Sequence, residues 1–96
     1  MGWSVRLENE HGKPVVDNDV GIEFDTLEGV SPTGLLRYID PCGNTVFNRM
    51  QMPDFISEWS RIQPDDPAQK LRCAEVLGMA KRCAAEPHFY LRFIGN

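Results

Sequence analysis

The residues in this chain that could do chemistry are three cysteines, two histidines and a run of acids. In that run, Asp17, Asp19 and Glu28 match positions 1, 3 and 12 of a calcium-binding loop. Such a loop turns sharply at its sixth position, where Gly is required, yet Ile22 stands there and Gly21 comes one residue early. The acids Glu23 and Asp25 alternate with Val20, Ile22 and Phe24, which reads instead as the solvated face of a strand. His11 and His88 are isolated, with no Cys or Asp beside either at ligand spacing, so no metal set is expected.

A cysteine nucleophile needs a base that holds it as thiolate. Cys42, in an expected turn, is the candidate exposed thiol, with His11 or His88 as conceivable partners in space, but nothing in the spacing pairs them. Three cysteines with no CxxC pair indicate neither a disulfide framework nor a redox motif, and Cys73 and Cys83 read as small core residues. No GxSxG surrounds Ser4, Ser31, Ser57 or Ser60, and no glycine-rich phosphate loop occurs. No catalytic residue and no cofactor is therefore assigned.

Two clusters remain. Arg37, Tyr38, Asp40, Asn48 and Arg49 flank an expected hairpin, with Asp54 and Glu58 on the polar side of the helix that follows, which also carries Trp59. Tyr38, Asp40, Arg49 and Trp59 are accordingly the candidate ligand-binding residues of a pocket between that helix and the hairpin. Met50, Met52, Phe55 and Trp59 form a flexible, aromatic stripe, which is a candidate surface for a protein partner or for a second copy of the chain.

The elements that must position these residues follow from periodicity. Trp3-Ser4-Val5-Arg6-Leu7-Glu8 alternates at period two and predicts a strand. Pro14-Val15-Val16 predicts a short edge strand, and Val20 to Asp25 a further half-buried one. Glu28 to Gly34 is rich in glycine and hydroxyl residues and reads as an irregular connection. Leu35 to Ile39 and Thr45 to Phe47, joined by the type I turn sequence Asp40-Pro41-Cys42-Gly43, predict a hairpin over 35–48. From Pro53 the period changes to that of a helix over about 53–63, stopping before Pro64. A second helix over about 66–86 has Asp65 or Asp66 to cap it, Pro67 at its first turn and Pro87 to end it. Its opposite face carries Lys70, Lys81 and Arg82. His88 to Ile94 is apolar on both faces and predicts a central strand. The expected architecture is α+β, one domain over residues 1–96, with an antiparallel or mixed sheet of about five strands and both helices packed on one face.

The composition, 42% hydrophobic and 25% charged, is that of an ordinary globular domain. Residues 1–66 hold twelve acids and five bases, whereas 67–96 hold two acids and five bases. The net charge of −4 disfavours general nucleic-acid binding by repulsion from phosphates, and a local basic face with Lys70, Lys81, Arg82 and Arg92 is a third reading. No apolar run approaches the ~20 residues of a membrane helix, and the start lacks the apolar core of a secretory signal. A chain that begins at Met1 and works in the reducing cytoplasm, away from membranes, is expected.

The string Arg37-Tyr38-Ile39-Asp40-Pro41-Cys42-Gly43-Asn44-Thr45-Val46-Phe47-Asn48-Arg49-Met50-Gln51 resembles a segment recurring in small bacterial hypothetical proteins of uncharacterised families, some carried on integron gene cassettes. In that pattern an aromatic usually stands at Cys42 and an Asp at Asn44. The resemblance implies a bacterial accessory protein and transfers no catalytic residue. The functional expectation is a non-enzymatic interaction or regulatory module, with a homodimer among its expected states. Its acidic strand region would attract a basic protein. The alternative is a small-molecule binder or modest enzyme using the pocket at the 35–48 hairpin.

Overall fold

In the computed structural model of the chain, residues 2–16, 18–28 and 34–95 are described. Four strands form one antiparallel sheet: β1 (Gly2–Glu8), β2 (Val20–Glu23), β3 (Asn44–Asn48) and β4 (Tyr90–Gly95), in the spatial order β2-β1-β4-β3. The C-terminal strand is an inner one, between β1 and β3, as its apolar character predicts, with Leu91 and Phe93 wholly buried. Trp3, Val5, Leu7, Leu91, Phe93 and Phe47 project to one face, and there they meet two helices, α1 (Met52–Trp59) and α2 (Pro67–Ala85).

The helices start where their sequences signal. Pro67 occupies the first turn of α2 and the Asp66 carboxylate accepts a hydrogen bond from the Ala68 amide at 3.3 Å, which settles the choice between the two aspartates as cap. Val76, Ala80 and Cys83 recur at spacings of three and four and are wholly buried. Phe55 stacks on Trp59 with ring centroids 5.4 Å apart and a 12° interplanar angle. Phe93 of β4 meets both rings within 6.0 Å, so one aromatic cluster joins α1 to the middle of the sheet.

Three expectations need correction. The sheet has four strands, because Pro14 makes only an isolated bridge to Glu8; the Val15 amide donates to the Leu7 carbonyl at 2.8 Å and pairing goes no further. The 35–48 hairpin does not form. Leu35–Tyr38 is a 3-10 turn, and β3 pairs with β4 instead. Two forces override the strand pattern. Leu36 and Ile39, three apart, are the buried pair, and the Glu58 carboxylate of α1 accepts from the Leu35 and Leu36 amides at 2.9 and 3.2 Å, capping the turn from a distant helix. Helix α1 is also shorter than expected, ending at Trp59 where the Ser60 hydroxyl bonds back to the Ile56 carbonyl. The Glu28–Gly34 connection falls largely outside the described residues, as does Asp17.

The other face of the sheet is polar. Glu8, only 3% exposed, accepts from Arg92 Nε at 2.8 Å and lies 3.6 Å from Arg6, which itself chelates Asp19 through two nitrogens. Asp19 is thereby committed to an ion pair, and its hydrogen bond holds the Arg6 guanidinium above its ordinary pKa.

Candidate functional site

A cleft of about 770 Å³ lies beside the β2 edge of the sheet. Three separate stretches build it. The end of β2 and the 3-10 turn Phe24–Leu27 supply Glu23, Asp25 and, just beyond, Glu28. The last turns of α1 and the chain leaving it supply Glu58 and Arg61, and the entry to α2 supplies Asp65 and Asp66. Six carboxylates thus face a single guanidinium.

The floor explains how these stretches are held together. Gln69, 4% exposed, accepts through Oε1 from the Glu23 amide at 3.2 Å and from the Thr26 hydroxyl at 2.9 Å. One buried side chain of α2 therefore ties down both β2 and the turn after it. Glu58 and Asp66 have structural partners in the Leu35, Leu36 and Ala68 amides. No hydrogen bond or ion pair from a described residue engages the carboxylates of Asp25, Glu28 or Asp65. Ile62 and Pro64 add an apolar wall. The arrangement is an anionic trough with a greasy side, suited to a cation carried on an aliphatic stem. Among the described residues no group of three or more Asp, Glu, His or Cys is disposed to hold a metal ion.

The residues singled out from sequence lie elsewhere. Trp59 is 2% exposed, and its indole N–H donates to the Cys73 carbonyl at 3.0 Å. Met52 and Phe55 are fully buried, so Met52, Phe55 and Trp59 belong to the core rather than to a partner surface. Met50 alone of that stripe reaches solvent, at 82% exposure. The four read as one stripe in the sequence, but the 3-10 turn Arg49–Gln51, closed by a reciprocal Asn48–Gln51 capping box, rotates Met50 away from the other three.

Tyr38, Asp40 and Arg49 are all exposed, around β3, while Trp59 is sealed between the helices. The four are not brought to one pocket mouth. Tyr38 has the Arg37 guanidinium over its ring at 4.5 Å. Asp40 accepts from the Cys42 amide at 2.8 Å, its own amide donates to the Thr45 hydroxyl, and its carbonyl accepts from the Trp3 indole at 3.0 Å. It is the anchor of a turn.

Cys42 and the histidines are likewise separated. Cys42 adjoins the Gly43–Gly95–Trp3 end of the sheet. His11 and His88 both approach Glu10, at 3.8 and 3.5 Å, beyond the Glu8–Tyr90 end. Six paired residues at about 3.4 Å each lie between the two ends, which excludes a thiol–imidazole pair. The buried thiols are inert: burial pushes Cys73 up and Cys83 up to about 11. The basic set is also divided. Lys70, Lys81 and Arg82 lie on α2, on one side of the sheet, whereas Arg92 points to the other and is paired with Glu8.

With this geometry the fold class is defined: an α+β protein with a four-stranded antiparallel sheet covered on one face by two helices. None of those helices is long and apolar enough to cross a membrane. Comparison with protein-family models gives no match, and neither curated proteins nor solved structures give one.

Proposed function

We propose that this protein is a non-enzymatic interaction module that captures a lysine- or arginine-bearing segment of a protein partner in its acidic cleft. The observation that carries this reading is the cleft itself, about 770 Å³ with six carboxylates against Arg61 and a wall of Ile62 and Pro64. A methylene stem would lie on the apolar wall while its cationic head met Asp25, Glu28 or Asp65. The carboxylates are spread over three chain segments rather than focused on a point, which favours an extended basic segment over a compact ion. Net charge of −4 adds long-range attraction for a basic partner. The likeness of residues 37–51 to cassette-borne bacterial proteins supports an accessory role.

Calorimetry with a lysine-rich decapeptide and its glutamate-substituted counterpart tests the proposal. Binding of the first only, weakening as salt rises from 50 to 300 mM by roughly the screening expected for exposed charges, is the expected result. Replacing Asp25 and Glu28 by Asn and Gln should lower affinity about tenfold while leaving the melting temperature within a few degrees. Equal binding of both peptides, or indifference to the double substitution, would overturn it.

A further inference from the structure

At the opposite edge of the sheet from the cleft, β3 pairs with β4 on one side and has no described strand on the other. The Gly95 amide donates to the Gly43 carbonyl at 2.8 Å, and Gly43 lies opposite Gly95 in the β3–β4 register. Hydrogen-bonded pairs alternate along an antiparallel ladder, so Thr45 and Phe47 bond to β4 and the N–H and C=O of Asn44 and Val46 point outward. Asn48 points outward too, but its amide is taken by Gln51 Oε1 at 2.9 Å. No other described residue bonds to the outward groups of Asn44 and Val46.

The β2 edge is treated differently. There the outward Glu23 amide is covered by Gln69, and Arg72 of α2 lies against Gly21. The β3 edge carries none of the usual protections: no charge, proline or bulge lies within Asn44-Thr45-Val46-Phe47-Asn48. Among the described residues, three of the four large apolar side chains most exposed to solvent also gather around it. They are Val46 on the strand at 43%, Met50 just after it at 82%, and Tyr38 at 59%, whose carbonyl meets the Thr45 hydroxyl.

We infer that β3 pairs with β3 of a second copy about a two-fold axis through Thr45, joining two four-stranded sheets into one of eight strands. In this register Asn44 lies opposite Val46 of the second copy, and the reverse. All four outward groups of each Asn44–Val46 pair are then used, giving four inter-chain hydrogen bonds, and the Asn48–Gln51 capping box is left intact. Charges complement as well. Arg49, just past one end of β3, comes to the end of the second copy's strand where the Asp40 carboxylate folds over Gly43. The two-fold thus brings Arg49 of each copy to the same end of the seam as Asp40 of the other, opposite charges that steer and fix the pairing. The cleft lies at the far edge and stays open in the dimer, so this inference is independent of what the cleft binds.

Sedimentation across protein concentration, with substitutions along β3, tests the pairing. A monomer–dimer equilibrium reaching mainly dimer at high micromolar protein is expected. Val46→Pro removes only an outward N–H, which an edge strand tolerates, and should give a folded monomer. Arg49→Glu should weaken dimerisation at least tenfold, whereas Arg49→Lys, which keeps the charge, should leave it within a few-fold. Should Val46→Pro fail to fold, amide exchange of the unmodified protein decides: Asn44 and Val46 amides must slow as concentration rises. A protein that is monomeric throughout, or a dimer indifferent to these changes with Asn44 and Val46 amides exchanging freely, would overturn the inference.

Discussion

Trp59 shows how one side chain can be legible in kind and misleading in place. An aromatic in a stripe with Met50, Met52 and Phe55 can cover a partner or fill a core, and the stripe alone does not distinguish them. The structure does, through a hydrogen bond to the Cys73 carbonyl fourteen residues away. Trp59→Phe should therefore cost about 1 to 3 kcal/mol in denaturant unfolding, from the lost bond and the space left by the smaller ring. Tyr38→Ala, at an exposed position, should stay within about 0.5 kcal/mol. A second residue-scale expectation concerns Cys83. Its folded thiol stays protonated to about 11, whereas an unhindered thiol ionises near 9.0. The folded state then binds more protons between these values, so the stabilising contribution is intact below about 9 and is lost as pH rises towards about 11. Melting temperature measured from pH 8 to 11 should fall less steeply in Cys83→Ala than in the unmodified protein. Thiol titration of the native protein at neutral pH should label Cys42 alone.

At the scale of elements, what could be read depended on whether the determining interaction was local. Strand β1 follows from alternation within seven residues, and α2 from Asp66, Pro67 and a stripe of small side chains. Both lie within a residue or two of their expected limits. Leu35–Tyr38 failed because its cap is Glu58, more than twenty positions ahead, and no local pattern reports a carboxylate arriving from another helix. Gly34 takes part in the same arrangement: a Cβ there would sit 2.1 Å from Glu58 Oε1, so the carboxylate reaches the turn only past a glycine. Glu58→Ala should thus destabilise the fold by about 1 to 2 kcal/mol and accelerate amide exchange at Leu35 and Leu36, leaving the β1 and β4 amides protected. Uniform acceleration across the sheet would instead mean that the 3-10 turn unfolds only with the whole molecule.

For the whole molecule, the uneven charge distribution seen in the sequence becomes spatial. Acids from residues 23–28, 58 and 65–66 meet in one cleft because Gln69 ties β2 to α2 and because the chain turns sharply between the helices. The acidic run was visible in the sequence, and its failure as a calcium loop was readable from Ile22. Its convergence with Glu58 and Asp65 was not, since that needs the packing of α1 against α2. The basic residues of the C-terminal third are divided by the same packing, those of α2 on one side of the sheet and Arg92, paired with Glu8, on the other. Attraction of a basic segment to this cleft is the central functional claim, and mapping the contact by amide chemical shifts tests it most directly. Titrating a lysine-rich peptide into isotope-labelled protein at low salt should move the resonances of Asp25, Thr26, Glu28, Arg61, Asp65 and Gln69 together, with one saturation curve, and leave β3 unmoved. Shifts scattered over the surface without saturation, or centred on any other face, would contradict it.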